Sequence, residues 1–424
     1  MKASAFVYPW DVNGDPQAPA RIADLGVAQV TLAAAYHSTR ALTPRHPRHR
    51  VVTAEHAAVL YPPDAARWQG RALRPYASGA WAPGDAYGEA AAALADAGLD
   101  VHTWVVLAHN SRLGAEHPDT SVVNAYGDRY PWAPCIAQPA TRAYLTDLAA
   151  EAAVRPGARG TELESLGWYG LAHLHAHDKT GGVGLGDAGQ YLMSLCFCPD
   201  CRAGYGTQGL DADGLATAVR AALEPVWRGA APSDGGWAGV EKLLGEATAN
   251  ATRAWRDDRA RTLQETAVSA VRAAAPDGFQ VLLHADPVSH HCGANAGVDP
   301  AHILAVADGV VVPCTGGPAL LAPFAEQTAE GTVLAANLTV VSGMGGSPGT
   351  LAADAARARE LGATELRLYH AGLASDGDLE GVRAGWERGE GGRPGCAGRR
   401  PGGRHPALGS GSARRRAAGS PGTR

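Results

Sequence analysis

Two kinds of apolar pattern alternate along the chain. Short runs that are almost entirely apolar are followed by longer Ala-rich runs in which apolar positions recur at helical spacing. A short continuous apolar run is typical of a strand that is buried on both faces of a parallel sheet. We predict such strands at residues 5–8, 29–35, 101–108, 162–166, 279–284, 309–313, 333–338 and 365–370.

Helices are predicted between these strands. Gly98, directly after one Ala-rich run, is a typical residue to end a helix, and Asp299 followed by Pro300 is a typical helix start. The predicted helices cover residues 15–25, 85–97, 139–154, 237–274, 299–307, 317–330, 348–361 and 376–387.

This alternation predicts the fold class. Eight strand-then-helix units are the natural pattern of an α/β protein with a closed (β/α)8 TIM barrel. The alternative is an open doubly wound sheet, but the turn after the first strand, YPWDVNG, has no Gly-rich phosphate-binding pattern. Two long βα loops, at residues 38–84 and 167–236, would lie on the catalytic face of the barrel.

The periodic pattern ends near residue 390. Beyond it, Gly, Pro, Arg and Ser dominate without hydrophobic periodicity, as in GGRPGCAGRRPGGRHP. A segment of this composition cannot bury enough apolar surface to fold. We therefore expect one barrel domain at residues 1–390 and a low-complexity, basic, disordered tail at residues 391–424, which either binds anions or is simply solvated.

Composition and charge narrow the partners and the compartment. Of the 424 residues, 46% are apolar, which is enough for one large core. The net charge is −5, and because the tail contributes eight arginines and no acid, residues 1–390 carry −13, a poor match for nucleic acid. No window is apolar enough for a membrane span, and the start, MKASAFVYPWD, lacks a signal-peptide core, so we expect a cytoplasmic protein.

Polar and aromatic residues follow nearly every predicted strand. In a barrel of this kind, catalytic residues come from the C-terminal ends of several strands. A single histidine at a strand end is more often a structural hydrogen-bonding group than a catalyst, but histidines at four different strand ends favour a shared site. The residues at these ends are Trp10, Asp11, Tyr36, His37, His109, Asn110, Glu164, His284, Asp286, Cys314, Thr315, Asn337, Tyr369 and His370.

Aromatic residues accompany these polar strand ends. Flat apolar rings beside hydrogen-bonding groups suit the faces and hydroxyls of a sugar, although ordinary core packing is the commoner role for any single ring. A small molecule of the carbohydrate class, rather than a nucleic acid or a membrane, is the partner that the pattern predicts. The aromatic set comprises Trp10, Tyr36, Trp81, Trp168, Tyr169 and Tyr369.

Three of the seven cysteines fall within six residues, as Cys196, Cys198 and Cys201 in CFCPDC. Three thiolates this close can converge on one tetrahedral metal ion, and Cys135 in PWAPCIAQP is the best candidate for a fourth ligand. Four Cys ligands would make a closed site for structural Zn(2+), tying the long loop after the fourth strand to the segment before the third helix. Reduced cysteines packed in a loop are the alternative.

A histidine-rich segment, GWYGLAHLHAHDK, closely follows Glu164. Three roles compete for it: contacts with substrate hydroxyls or an anionic group, a second metal site, and a plain solvated loop. Its polar residues are His173, His175, His177, Asp178 and Lys179.

The order of a Cys-x₃-Pro segment, a strand-end Glu and a CxCxxC loop resembles the β-galactosidases of glycoside hydrolase family 42, which are barrels with a four-Cys zinc site beside the active site. The matching stretches are CIAQPATRAYLTDLAAEAA, ELESLGWYG and LCFCPDCRAGY, within about residues 130–205. More broadly, the chain is similar to glycoside-hydrolase-like barrels of actinobacteria. The resemblance implies an acid/base role for Glu164. It also implies zinc ligation by Cys135, Cys196, Cys198 and Cys201.

The chain departs from that family at two positions. The family has an Asn directly before the acid/base Glu, whereas this chain has Leu163. The family's nucleophile is a Glu at the end of the seventh strand, where this chain has Asn337 and no acid. A retaining glycosidase needs two carboxyl groups about 5–5.5 Å apart and an inverting one about 6.5–9.5 Å. The best second carboxylate is Asp286, with Asp11 behind it, so the retaining mechanism is not implied.

The combined pattern predicts a glycoside-hydrolase-like enzyme that acts on a carbohydrate or glycoconjugate. Glu164 would be the general acid/base, and Asp286 the nucleophile or general base. Two alternatives remain: a metal-dependent hydrolase or lyase that uses the strand-end histidines, and a sugar-binding barrel without catalysis. The expected substrate-binding residues are Trp10, Asp11, Tyr36, His37, His109, Asn110, Trp168, His173, His175, His177, His284, Asn337 and His370.

Overall fold

Eight parallel strands close into a barrel in the computed structural model. The described residues contain these eight strands and five short additional ones: β1 (Lys2–Val7), β2 (Gln29–Tyr36), β3 (Thr39–Leu42), β4 (Val51–Ala54), β5 (Ala58–Val59), β6 (Asp100–Val106), β7 (Ser121–Val123), β8 (Arg129–Pro134), β9 (Gly160–Glu164), β10 (Gln280–His284), β11 (Gly309–Pro313), β12 (Val333–Thr339) and β13 (Glu365–Tyr369). The barrel order is β1-β2-β6-β9-β10-β11-β12-β13, and β13 pairs back to β1. The predicted (β/α)8 barrel is therefore confirmed, with every predicted strand within a few residues of a barrel strand.

The helices surround this barrel. Their bounds are α1 (Pro9–Val12), α2 (Ala18–Ala23), α3 (Ala86–Asp96), α4 (Ser111–Glu116), α5 (Pro139–Ala153), α6 (Gly186–Met193), α7 (Pro199–Thr207), α8 (Ala212–Trp227), α9 (Gly236–Leu244), α10 (Glu246–Ala274), α11 (Pro300–Val306), α12 (Ala322–Ala325), α13 (Leu351–Glu360) and α14 (Asp376–Gly389). Both predicted helix ends are confirmed, since Gly98 adopts φ +84° after α3 and the Asp299 carboxylate accepts the His302 N–H at 2.8 Å.

Some predicted helices differ from the observed ones. The long helix expected at residues 237–274 is divided into α9 and α10 by Gly245, whose φ of +79° no helix can contain. The helix expected at residues 317–330 is reduced to α12 and one preceding 3₁₀ turn, because Pro318 and Pro323 each remove a backbone donor there.

The structure describes residues 1–171, 178–232, 235–293 and 295–389. The tail expected at residues 391–424 lies outside the described residues, so its disorder stays a prediction. No helix within the described ranges is long and apolar enough to cross a lipid bilayer.

Both predicted long loops carry secondary structure of their own. The first holds the hairpin β3–β4 and the short strand β5, which pairs antiparallel with the end of β2. The second holds α6, α7 and α8. A third insertion, the hairpin β7–β8 between β6 and α5, has only a weak strand pattern in the sequence and was not predicted. These insertions lie between a strand end and the next helix, so they build up the face that carries the site.

Candidate active site

Glu164 is the last residue of β9, and its side chain is 13% exposed. Within the described residues, its carboxylate accepts one hydrogen bond, from Nε1 of Trp104 on the neighbouring strand β6, at 2.6 Å. The backbone turns directly afterwards, because Ser165 is left-handed (φ +65°) and its N–H is bonded to Oδ1 of Asn295 at 3.1 Å. A non-glycine residue in such a conformation costs about 1–3 kcal/mol and is concentrated at functional sites.

His284, the last residue of β10, lies between two glutamates of β9. The strand register places Leu282 beside Glu162, which brings His284 level with Glu164. Nε2 of the buried ring is 3.5 Å from Oε2 of Glu162, and Nδ1 is 3.9 Å from Oε2 of Glu164. The ring of Phe6 packs edge-on against it. The geometry thus links this histidine to two carboxylates, in addition to any substrate contact.

Glu162 lies one layer deeper in the barrel and is fully buried. Its Oε1 is 2.6 Å from Nε of Arg367 on β13, which also contacts Oε2 of Glu365 at 2.8 Å. The Thr31 hydroxyl donates a further hydrogen bond to Oε1 at 3.1 Å. Burial alone would raise the pKa of Glu162, but the charges of Arg367 and His284 lower it to about 2. Glu162 is therefore an ionised carboxylate in the interior of the barrel.

Sequence reasoning missed this buried ion pair. One signal was available, because Glu162 and Glu164 are two residues apart in β9 and must share a face. No comparable signal identified Arg367, which is 205 residues away along the chain and lies in a strand that otherwise reads as ordinary core.

Tyrosine side chains surround the Glu164 carboxylate. The Tyr8 hydroxyl donates to the Tyr36 hydroxyl at 2.9 Å, and the Tyr36 ring packs edge-on against Trp104. Burial and then the negative charge of Glu164 raise the pKa of both Tyr36 and Tyr369. These hydroxyls therefore stay protonated at neutral pH and can act as hydrogen-bond donors.

A β-bulge in β2 turns Tyr36 towards this cluster. The register of β2 against β6 shifts between Ala33 and Ala35. Ala33 and Tyr36 consequently both pack inside the barrel with Phe6 and Trp104, whereas regular alternation would point Ala35 inwards. The expectation that Tyr36 faces the strand-end site thus depends on an irregularity that the hydrophobic pattern does not reveal.

His370 reaches the same cluster from the end of β13. Its backbone is left-handed (φ +61°), and its Nδ1 is 3.1 Å from the Tyr8 hydroxyl. Burial, with a smaller contribution from the charge of His37, lowers the pKa of His370 to about 3. The imidazole is therefore neutral at pH 7 and offers a hydrogen-bonding group without a charge.

His37 and His109 lie at the adjoining strand ends. Their ring centres are 4.7 Å apart, and His109 also stacks on Tyr169 at 4.3 Å. Nδ1 of His37 is 2.7 Å from the Ser38 carbonyl oxygen. Together with Tyr36, which stacks on His37, these rings form a continuous wall beside Glu164.

Three of the expected substrate-binding residues direct polar groups to the protein backbone. Asn110 accepts the Leu113 N–H at 3.0 Å and starts α4, and Asp11 accepts the Tyr8 N–H at 2.8 Å within α1. Nε1 of Trp168 donates to a backbone carbonyl oxygen at 2.9 Å. Burial raises the pKa of Asp11 to about 7. A substrate would have to compete with these hydrogen bonds.

Asp286, the expected second carboxylate, lies two residues beyond β10. Its Oδ2 is 2.8 Å from Nδ1 of His291, and its Oδ1 accepts the Val288 N–H at 2.9 Å. This hydrogen bond raises the pKa of His291. A substrate would have to displace these two donors before the carboxylate could act on it.

Asn337 lies near the end of β12, the seventh barrel strand, as expected. Its Oδ1 is buried and has no hydrogen-bond partner in the described part of the chain. A buried, unbonded amide oxygen is unfavourable unless something else donates to it. A ligand hydroxyl would meet that need.

The histidine-rich segment is described only in part. His173, His175 and His177 lie outside the described residues, so their expected substrate or metal contacts stay predictions. Asp178 and Lys179, which follow them, are described and exposed.

The four predicted cysteines come together. Cys135 follows β8, Cys196 and Cys198 precede α7, and Cys201 lies in its first turn. Sγ of Cys135 is 3.6 Å from Sγ of both Cys198 and Cys201, and all four sulfurs lie within 4.8 Å of one another. Backbone N–H groups of Val123 and Cys198 each donate to Sγ of Cys196 at 3.5 Å.

This thiol cluster fits a tetrahedral metal ion. Metal–sulfur bonds of about 2.3 Å place ligand sulfurs about 3.7 Å apart, as observed here. Burial and the neighbouring thiols raise the pKa of Cys135 and Cys201, so several thiolates at this spacing need a cation between them. Within the described residues, no other group of three or more ligating side chains is close enough to hold a metal. The described residues therefore do not form a metal site from His109, His284 and Asp286.

A cleft of about 590 Å³ adjoins the aromatic cluster. It is lined by Trp10, Trp81, His46 and His49 among others, with the hairpin β3–β4 on one side. Trp10 stacks on Tyr8 at 4.6 Å, which connects the cleft to the tyrosines beside Glu164. The volume is within the range of small-molecule sites, about 300–1,000 Å³.

Sequence comparison alone does not place the chain. No protein-family model matches it, and no curated protein sequence matches it.

Comparison with solved structures shows what the fold is similar to. α-L-fucosidase isoenzyme 2 from Paenibacillus thiaminolyticus is 13% identical over 91% of this chain, with a TM-score of 0.54. The β-galactosidases from Bacillus circulans sp. alkalophilus and Rahnella sp. R3 are 12% and 11% identical, each over 91% of this chain and with a TM-score of 0.50. This chain shares its fold with glycoside hydrolases. It spans about half of those proteins, 49% of the first and 55% of the other two. The expected resemblance to glycoside-hydrolase barrels is confirmed for the fold.

Proposed function

We propose that the protein is a glycoside-hydrolase-like enzyme that acts on a carbohydrate or glycoconjugate, with Glu164 as its general acid/base. The observation that carries the proposal is the environment of Glu164: a partly exposed carboxylate on a barrel strand end, next to a strained backbone turn and among hydroxyl and imidazole groups. A carboxyl group in this position can protonate a leaving oxygen and later accept a proton from water.

The surroundings suit a sugar better than an anionic or wholly apolar ligand. Tyr36 and Tyr369 offer hydroxyls, His370 offers a neutral imidazole, and Asn337 offers a free amide oxygen. The cleft beside Trp10 adds room for a further sugar unit. The fucosidase and β-galactosidases that share the fold act on carbohydrates by their names, in agreement with this proposal.

Asp286 is our candidate for the second carboxylate, as nucleophile or general base. Its pairing with His291 must be broken or used for it to act, because Nδ1 of His291 occupies Oδ2 at 2.8 Å. The position where related galactosidases are expected to carry the nucleophile is Asn337, which cannot form a glycosyl ester. The stereochemical course would then depend on the distance from Glu164 to Asp286, or to Asp11 behind it.

We further propose that the thiol cluster of Cys135, Cys196, Cys198 and Cys201 binds one structural Zn²⁺. Four buried thiols leave no open ligand position for a substrate or water, so the site stabilises the loop between β9 and α7 and takes no part in the reaction.

A sugar-binding barrel without catalysis is the second candidate function. It is favoured by the seventh strand, which offers Asn337 and Thr339 near its end and no acid. Binding of a glycan without any turnover by the wild-type protein would support it over the enzyme.

The test is a comparison of Glu164→Gln with Glu151→Gln on a panel of aryl glycosides that includes β-galactosides and α-fucosides. Glu151 on α5 is a matched control, since it also accepts a tryptophan Nε1–H at 2.6 Å but lies away from the strand ends. We expect turnover to fall by about 10²–10⁴-fold in Glu164→Gln alone, the usual contribution of a general acid, with an unchanged circular dichroism spectrum. A Glu164→Gln protein as active as the wild type would refute the assignment.

A further inference from the structure

We propose that His284 is a positioning residue that shares a proton with Glu164, and that the buried carboxylate of Glu162 sets the tautomer in which it does so. The inference rests on the proposed function for its catalytic meaning, but the proton sharing itself can be tested without turnover.

The geometry forms a chain of alternating groups across three strands. Arg367 contacts Glu162 at 2.6 Å, and Oε2 of Glu162 is 3.5 Å from Nε2 of His284. Nδ1 on the other side of the ring is 3.9 Å from Oε2 of Glu164. Side-chain exposure rises along this chain from none at Arg367 and Glu162 to 4% at His284 and 13% at Glu164. Only the last group thus reaches the open end of the barrel.

The buried end of the chain determines which ring nitrogen carries hydrogen. Glu162 is ionised, because Arg367 and the Thr31 hydroxyl both hold its charged form. Neither Oε2 of Glu162 nor Nε2 of His284 has a hydrogen-bond partner within the described residues, and the two atoms face each other at 3.5 Å. Because an ionised carboxylate can only accept a hydrogen bond, hydrogen on Nε2 is the arrangement that suits this pair. In the neutral ring, Nδ1 then presents its lone pair to Glu164.

At 3.9 Å, Nδ1 of His284 and Oε2 of Glu164 are not hydrogen-bonded in the structure, so a proton passes between them only when the two side chains move about 1 Å closer. In that arrangement the O–H of a protonated Glu164 points at the Nδ1 lone pair. On transfer, the O–H bond breaks and an Nδ1–H bond forms, which converts a neutral pair into a carboxylate beside an imidazolium. The Trp104 Nε1–H donates to the same Oε2 and favours the carboxylate. Both arrangements keep Glu164 oriented towards the ring.

The other groups that face the pair do not replace this role. Tyr36, Tyr169 and Tyr369 stay protonated near Glu164, because burial and its charge raise their pKa. His102 lies on the Glu162 side, where burial lowers its pKa to about 3, so it is neutral. Phe6 closes the ring edge of His284 with an apolar contact.

The first experiment is ¹⁵N NMR of the full chain with labelled histidine, using His284→Asn to assign the His284 signals. We expect the neutral ring of His284 to carry hydrogen on Nε2. A neutral ring with hydrogen on Nδ1 would overturn the proposal, since that tautomer cannot accept the Glu164 proton.

The second experiment is a ¹³C-carboxyl titration with labelled glutamate, in which Glu164→Gln identifies the Glu164 signal. Proton sharing predicts two titration steps for Glu164 in the wild type, the second coinciding with the titration of His284, and one step in His284→Asn. Identical single-step curves in both proteins would overturn it. His56→Asn, at a partly exposed histidine in the first long loop, is the control and should leave both steps unchanged.

The two proposals fail separately. If Glu164→Gln remains fully active but the NMR results hold, the proposed function is wrong and the proton-sharing pair stands. If Glu164→Gln is inactive but the titration is single-step, Glu164 acts without His284. In an active enzyme, we also expect His284→Asn to shift the alkaline limb of the pH–rate profile to lower pH by about one unit, a change that a merely structural role would not produce.

Discussion

The thiol cluster and the Arg367–Glu162–His284–Glu164 chain are both groups of buried titratable side chains, yet they are built on opposite plans. In the cluster, four identical ligands lie within 4.8 Å of one another and one cation would satisfy them all. In the second group, basic and acidic side chains from three strands contact one another in turn, and the last of them, Glu164, is partly exposed. The fully buried thiol cluster is suited to stabilising the fold, whereas the partly exposed end of the second group is accessible to a substrate.

The two sites also differ in how their residues are brought together. Three of the cluster's four cysteines lie within six residues of each other, so local backbone geometry brings most of the cluster together. The residues of the second group are distributed over β9, β10 and β13 and come together only when the barrel closes. Loss of the thiol cluster should therefore lower mainly the free energy of unfolding. Loss of the Arg367–Glu162–His284–Glu164 group should lower turnover as well.

The largest effect is expected from Cys198→Ser. Structural zinc contributes about 10–16 kcal/mol to the folding of small zinc peptides, so we expect the unfolding free energy to fall by about 5 kcal/mol or more, with bound zinc dropping from one per chain to none. Denaturant unfolding and elemental analysis measure both. Cys314→Ser is the control, since this cysteine is also buried but lies outside the cluster, with its thiol donating to the Val312 carbonyl oxygen. Equal stability and zinc content in both variants would refute the zinc site.

Arg367→Met should have the next largest effect. Removing one partner of a buried ion pair leaves the other charge uncompensated and costs about 3–5 kcal/mol. Arg159→Met breaks a pair of similar length, 2.8 Å to Asp100, at a side chain that is 73% exposed, and should cost less than about 1 kcal/mol. Urea unfolding at pH 7 compares them. A similar loss in both variants would show that Glu162 is not ionised in the barrel.

Acid should lower the stabilisation that the Arg367–Glu162–His284–Glu164 group gives to the fold, by a smaller amount than Arg367→Met does. The folded-state pKa of Glu162 is lowered from 4.5 to about 2, so its stabilising contribution is complete above pH 4.5 and is lost as the pH falls towards 2. We expect the stability difference between the wild type and Glu162→Gln to narrow by about 2 kcal/mol from pH 5 to pH 3. Unfolding curves at the two pH values measure it; a constant difference would contradict the lowered pKa.

The smallest effect, on turnover, is expected from Trp104→Phe, which removes the hydrogen bond to Glu164. Loss of the hydrogen bond to Glu164 should lower turnover by about tenfold, the equivalent of about 1.4 kcal/mol. Trp68→Phe removes the same kind of hydrogen bond from Glu151 and should affect stability without changing turnover. If turnover falls equally in both variants, the Trp104 contact does not act through Glu164.

Much of the fold could be predicted because it depends on short-range pattern. Local sequence patterns indicate the buried strands, the helix start at Asp299, the helix end at Gly98 and the cysteine cluster. The candidate site was predicted less completely. Asn110 and Asp11 do follow strand ends, but Asn110 bonds the first turn of α4, and Asp11, which lies in α1, bonds back to the Tyr8 N–H. Residue type and position alone do not distinguish these uses from substrate binding.

The sequence by itself determined the eight buried strands, the order that closes them into a barrel, and a set of four thiols able to bind one metal. Only the tertiary structure decided which polar groups share a site. A bulge of one residue turns Tyr36 rather than Ala35 inwards, because side chains alternate with a period of two along a strand. Strand pairing places His284 between Glu162 and Glu164, and barrel closure brings Arg367 to them from 205 residues away. Such contacts depend on registers between distant strands, which no local pattern in the chain records.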